Sequence, residues 1–193
     1  MINKKLILVF LNNYSDSNSG ISKFFSDNQL HAYLSTKNID ADKYVFMNIK
    51  PGESVIWGGE DFRVFTKMGM DKCEQIENGF LKGFLKQYNR IVYVDAENPA
   101  ITEKIIIKTF KKLNSHDLVL GMSGPGNVPV MGMSKFNPLV FQSRIIEKSW
   151  TTIKEELKNK EIKFNVFPAV RPEVEQFSTY SLLNTTMDPI HLN

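Results

Sequence analysis

Residues 91–101 read IVYVDAENPAI. Ile91, Val92, Tyr93 and Val94 are β-prone and run without a polar break, the pattern of a strand covered on both faces in a parallel sheet. Asp95 and Glu97 follow at its carboxyl end, where open parallel sheets collect their ligands. Residues two apart in an extended chain point the same way. Both carboxylates are therefore expected to face one site.

Working outward, strands and helices alternate. Downstream, Thr102 caps a predicted helix over 102–113 whose inward residues are Ile105, Ile106, Phe110 and Leu113. Two predicted strands, 118–122 and 128–133, flank the stretch SGPGN, and a helix at 151–159 and a strand at 162–167 follow. A closing helix is expected at 173–183. Upstream, Asp71 caps a predicted helix reaching about residue 87, with Ile76, Phe80, Phe84 and Leu85 inward. Predicted strands lie at 5–11 and 44–49, with short ones at 54–57 and 62–66. Between the first two, a helix over 21–34 carries Ile21, Phe24, Phe25, Leu30 and Leu34 at helical spacing. This order reads as one α/β domain over residues 1–193, with a mostly parallel sheet and a loose tail at 184–193.

Composition agrees. The chain has 193 residues, 42% of them hydrophobic and 14 of them Phe, enough for one well-cored domain. Net charge is +3, and the 24 basic residues are scattered rather than gathered on one face, which argues against a nucleic-acid partner. The single Cys73 cannot form an internal disulfide and fits a cytoplasmic location. The opening MINKKLILVFLNN has only six apolar residues in its run, LILVFL, and no small-residue cleavage site after it, so it reads as a first buried strand. No stretch approaches the roughly 20 apolar residues of a membrane span. The dinucleotide fingerprint G-x-G-x-x-G is absent after the first strand, and so is the phosphate loop G-x-x-x-x-G-K-[ST].

Two acids at a strand end suit Mg²⁺ or Mn²⁺, hard cations that take one or two carboxylates and draw further oxygens from substrate phosphates. Such an ion would neutralise a diphosphate as it leaves. The competing reading is a plain helix approach, in which acids ahead of PAITEKII are favoured by the helix dipole. Ser123, Gly124, Gly126 and Asn127 offer backbone N–H groups to a ligand or form a hairpin turn. Asn12 and Asn13 either read a base through their amides or make a polar loop with local turns. Trp150 is an aromatic platform or ordinary packing. His31, His116 and His191 lie far apart and show no metal spacing. Cys73 reads as a small buried residue.

A resemblance rests on longer stretches. Residues 79–102, GFLKGFLKQYNRIVYVDAENPAIT, follow the pattern of a helix ending in A-F and then Y-x-x-V-V-L-I-G-S-D-C-P-x-L-T. Residues 116–134, HDLVLGMSGPGNVPVMGMS, match D-V-V-L-G-P-A-x-D-G-G-Y-Y-L-I-G-L in length. KSWTTIKEEL echoes P-W-S-T before a helix, and IKFNVFPAV a last strand. In these segments the chain resembles the small bacterial transferases known as radical-SAM/selenodomain-associated glycosyltransferases, which are similar in turn to GT-A-fold nucleotide-diphospho-sugar transferases. The resemblance implies a three-layer α/β/α, GT-A-like fold. It places the family's S-D-C-P acid on Glu97 and recreates D-x-E with Asp95. It also places Lys23 on a lysine that approaches nucleotide phosphates. The family's D-G-G-Y acid falls on Pro125, and the acid of its closing V-D-T falls near Ser178.

Two functions follow as expectations. The first is a metal-dependent transferase acting on a nucleotide or nucleotide-sugar. Asp95 and Glu97 would hold the Mg²⁺ or Mn²⁺, and Asn12, Asn13, Lys23, Ser123, Gly124, Gly126, Asn127 and Trp150 would line the nucleotide and substrate. The second is a catalytically inactive GT-A-like homologue acting as a binding or partner module. A phosphatase of the haloacid dehalogenase type is disfavoured because its D-x-D follows the first strand, whereas this strand is central.

Overall fold

Leu6, Leu8 and Phe10 bury into one apolar cluster, while Ile7, Val9 and Leu11 bury into another. That alternation makes the first strand central, since only a strand with cover on both faces needs apolar residues at every position. The computed structural model describes residues 4–11, 27–48, 61–123 and 127–169. In chain order the elements are β1 (Lys5–Phe10), α1 (Asp27–Thr36), β2 (Asp42–Met47), β3 (Phe62–Thr66), α2 (Lys72–Leu85), β4 (Arg90–Asp95), α3 (Glu103–Lys112), β5 (Leu118–Met122) and β6 (Val130–Met133). They continue with α4 (Pro138–Gln142), a 3₁₀ turn at Ile145–Glu147, α5 (Trp150–Asn159) and β7 (Phe164–Pro168). The readings at 54–57 and 173–183 and the 184–193 tail lie outside the described residues.

Among the described residues one sheet forms, in the order β3-β2-β1-β4-β6-β5-β7. β1 pairs in parallel with both β2 and β4, β2 with β3, and β5 with β7; β6 alone runs antiparallel, against β4 and β5. One cluster joins Leu6, Leu8, Phe10 and Tyr93 to Ile76 and Phe80 of α2, Phe141 of α4 and Leu157 of α5. The other joins Ile7, Val9 and Val92 to Ala32 of α1 and Ile106 and Phe110 of α3. The protein is thus a single α/β domain of three layers on a mostly parallel sheet.

The chain lays β1, β2 and β3 side by side in one direction. α2 then carries it back past β1, so that β4 pairs on the other side. The strand order thus reverses at β1, with β2 on one side and β4 on the other, and beyond the carboxyl ends at such a reversal an open sheet forms a crevice. Away from that crevice, at the amino ends of β1 and β4, α2 lies tightly on the sheet: a Cβ at Gly83 would fall 2.5 Å from Ile91 Cδ1 and 2.8 Å from Leu6 Cδ2.

Three helix residues expected inside are exposed. Leu30 and Leu34 of α1 are 42% and 46% exposed, and Leu85 at the end of α2 is 75% exposed. α1 turns a small and polar face inward instead: Ala32, Ser35 and Thr36 are buried, and both the His31 ring and the Ser35 hydroxyl meet the Ile101 carbonyl. A short face of this kind lets α1 sit close against the start of α3. Leu85 belongs to the last turn of α2, beyond the sheet that covers Ile76 and Phe80.

Candidate functional site

β4 delivers Asp95 to the crevice. Asp95 lies opposite Phe10 at the carboxyl end of β1 and shares its parity with Ile91 and Tyr93, which places its side chain on the α2 face. The residue is 6% exposed, and its charge is matched: Oδ2 accepts from Lys72 Nζ at 2.7 Å, and Oδ1 accepts the Glu97 amide at 3.2 Å. Asp95 also ends the strand. Its amide donates to the Pro129 carbonyl, and its own carbonyl accepts the Asn98 amide at 3.1 Å. Glu97 therefore stands in a tight turn, not in extended chain. The strand alternation expected to align the two acids does not apply; the turn places Glu97 instead.

Both acids nevertheless act on one ammonium. Lys67 leaves the carboxyl end of β3 with its Nζ 5.9 Å from the centre of the Phe10 ring. Burial pulls its pKa below the usual lysine value, the charges of Asp95 and Glu97 oppose that pull, and Lys72 adds to it. Among the described residues, two lysines and two acids therefore gather at the switch point.

Lys72 owes its place to a short turn between β3 and α2. Gly69 there has φ +130°, and a Cβ on it would lie 2.8 Å from Glu74 Cβ and 2.9 Å from the Gln75 amide. Only glycine fits that position. Asp71 caps α2 by accepting the Glu74 amide at 3.0 Å, and Arg144 donates to its other oxygen at 2.9 Å. The Glu74 amide and then Arg144 hold the Asp71 carboxyl below its ordinary value. Lys72 is the first residue of the helix, where the dipole disfavours a cation. Its ammonium is held there by Asp95, 23 residues on.

Ser123, at the carboxyl end of β5, joins this edge: Asn98 Nδ2 donates to its Oγ at 3.2 Å. The Ser123 amide donates to the Asn127 carbonyl at 3.1 Å, and β5 and β6 pair antiparallel, so the stretch spans a hairpin. Gly124 and Gly126 lie outside the described residues, as do Asn12, Asn13, Lys23, Pro125, Ser178 and His191. Trp150 opens α5, whose cap is Ser149. The sequence reading named Asp95, Glu97 and Ser123 but passed over Lys67, Lys72 and Asn98.

Tyr93 is fully buried behind Asp95, edge-on to Phe10 with ring centres 5.3 Å apart. Burial and then the Asp95 charge push its hydroxyl pKa well above the ordinary value. A cleft of about 460 Å³ opens elsewhere, between α2 and the end of β3, lined by Thr66, Met68, Leu81 and Lys82 among others. None of the charged quartet lines it.

Among the described residues no three His, Cys, Asp or Glu side chains gather as a metal would need. Asp95 and Glu97 supply hard oxygen donors and nothing more. That set fits Mg²⁺ or Mn²⁺ with a diphosphate completing the shell, and does not fit a cation held by protein alone. No helix among the described residues is long and apolar enough to cross a membrane.

Comparison with known proteins adds family and fold. Residues 26–146, well over half of the chain, match the family described as "Uncharacterized protein conserved in bacteria (DUF2064)". No curated protein matches. The fold resembles a candidate nucleotide-diphospho-sugar transferase from Desulfovibrio desulfuricans G20, with TM-score 0.66 and 18% identity over 85% of this chain and 79% of that one. It also resembles a 4-diphosphocytidyl-2C-methyl-D-erythritol synthase from Anaerococcus prevotii, with TM-score 0.54 and 10% identity over 86% and 87%. CMP:2-keto-3-deoxy-manno-octonic acid synthetase in complex with CTP gives TM-score 0.53 and 9% identity over 86% and 90%. The architecture is that of nucleotide-diphospho-sugar transferase-like folds.

Proposed function

The chain belongs to the bacterial family DUF2064, and on its switch-point site we propose that it is a metal-dependent transferase of the nucleotide-diphospho-sugar class, glycosyl- or nucleotidyltransferase-like. The observation that carries this reading is a buried carboxylate, Asp95, at the carboxyl end of β4 beside β1, where the strand order reverses. Fold likeness supplies the class, and the finer kinship with radical-SAM/selenodomain-associated glycosyltransferases rests on motif spacing.

In this reading Asp95 and Glu97 hold Mg²⁺ or Mn²⁺. The bound ion offsets the charge of a diphosphate and of the leaving nucleotide. The residues of the chain do the rest. Asp95 supplies one oxygen donor from the strand end, and Glu97 would supply a second from the turn that follows. Lys67 contributes positive charge from a partly dry setting, where it counts for more than in water. Asn98 ties the acid turn to Ser123 at the carboxyl end of β5. Asn12, Asn13 and Lys23 complete the nucleotide side, and Ser123, Gly124, Gly126, Asn127 and Trp150 the substrate side.

A second reading is favoured by one contact. Lys72 already answers the charge of Asp95, as it would in a GT-A-like homologue that binds without turnover. Thermal unfolding with a panel of nucleoside diphosphates separates the two. The transferase reading expects Tm to rise by a few degrees only when Mn²⁺ or Mg²⁺ accompanies the nucleotide, with Asp95→Asn abolishing the rise. A rise independent of metal transfers support to the binding module. No rise with any nucleotide contradicts the transferase reading, and a stable partner in a pull-down then supports the homologue as a partner module.

A further inference from the structure

The transferase reading leaves Lys72 unexplained. Its ammonium sits 2.7 Å from Asp95 Oδ2, the oxygen a divalent ion would need, while Oδ1 already accepts an amide. An ammonium and a divalent cation on that one oxygen repel each other, so the metal is favoured when the lysine leaves. Yet the lysine occupies the first position of a 14-residue helix, where the dipole repels it and favours an anion. Its side chain is 45% exposed and so has room to swing.

We infer that Lys72 is an exchangeable counter-ion: it neutralises Asp95 in the free protein, yields that carboxylate to the arriving metal, and then pairs with the diphosphate in front of α2. The inference rests on the proposed metal site. Charge makes the exchange self-consistent. Lys67, Lys72, Asp95 and Glu97 carry two charges of each sign, and a divalent ion arriving with an anionic diphosphate largely keeps that balance. Either one alone would break it. The lysine therefore makes metal and diphosphate bind together, weakening the metal by itself and strengthening the diphosphate once the metal is in place. It is a positioning residue with two effects of opposite sign.

Lys72→Met separates those effects, read on the full chain by Mn²⁺ titration with electron paramagnetic resonance and by calorimetry of inorganic diphosphate binding to Mg²⁺-saturated protein. The partly exposed pair that the metal must break is worth about a fivefold change in affinity. Lys72→Met is accordingly expected to bind Mn²⁺ about fivefold more tightly than the parent, and Mg²⁺-loaded Lys72→Met to bind diphosphate about fivefold or more weakly. Lys72→Arg, which keeps a cation, guards against misfolding and is expected to stay near the parent in both. Metal binding by Lys72→Met alone, with none by the parent, also supports the exchange. If the parent binds Mn²⁺ and Lys72→Met binds it no more tightly, the exchange is overturned and the Asp95 site stands. If neither protein binds Mn²⁺, both ideas fall together.

Discussion

The site turns on one contact between single residues, Lys72 Nζ to Asp95 Oδ2 at 2.7 Å. A run of four β-prone residues ending in an acid announces a strand end, because burial and polarity change within one step of the chain. Lys72 gives no such local sign, since its meaning comes from an acid 23 positions away that α2 and β4 bring together. The one hint was chemical: a lysine directly after the helix cap Asp71 stands against the dipole. Cys73, next along, is the small buried residue that its place on a predicted helix suggests. It is 3% exposed, and its thiol faces the Phe141 carbonyl at 3.4 Å. Burial raises that thiol from its ordinary 9.0 to about 11. The sign follows from which state loses its proton first. Between those values the unfolded chain ionises while the native thiol stays neutral, so the contribution is complete below pH 9 and is lost as pH rises through the folded value. Urea unfolding of the parent and of Cys73→Ala at pH 8 and pH 10 checks this. The advantage of the parent is expected to shrink at pH 10, and an advantage that grows would contradict it. At pH 8 the native thiol is also expected to resist a disulfide reagent that labels it at once in urea.

Elements with local start signals emerged well. Thr102 and Asp71 cap α3 and α2 through the Ile105 and Glu74 amides, as their hydroxyl and carboxylate chemistry predicts. α4 was missed although Asn137 caps it and Pro138 opens it, a pair of start signals in a segment too short to show helical period. Leu30, Leu34 and Leu85 misled for a different reason: spacing tells which residues share a face, and only tertiary packing tells whether that face is covered. The turn from β3 to α2 decides where Lys67 and Lys72 stand, and it depends on Gly69. Gly69→Ala forces a side chain into positive φ and against the Gln75 amide, so it is expected to cost about 1–3 kcal/mol of stability in chemical denaturation. It is also expected to loosen the Lys72 contact with Asp95. A variant as stable as the parent would show that the turn can relax and does not fix the site.

For the molecule as a whole, the order β3-β2-β1-β4-β6-β5-β7 matters more than any motif. It sets the carboxyl ends of β1, β3, β4 and β5 along one edge. Four segments distant in sequence, at Phe10, Lys67, Asp95 and Ser123, therefore share one mouth. Alternating strands and helices foretold the layers, since burial on both faces of a sheet leaves few other arrangements. The position of the crevice depended on strand order, which periodicity does not encode. The same logic explains how a chain 18% identical to a nucleotide-diphospho-sugar transferase-like protein shares its architecture. Layers are held by interchangeable apolar volume, whereas a site needs particular atoms.

The most direct test is a crystal structure of the protein grown with Mn²⁺ and a nucleoside diphosphate, read by anomalous scattering at the manganese edge. The account predicts one strong peak within about 2.2 Å of an Asp95 carboxylate oxygen, with diphosphate oxygens completing its shell and the Lys72 ammonium moved from Asp95 to the phosphates. A nucleotide bound with Lys72 still on Asp95 and no manganese between them would contradict it.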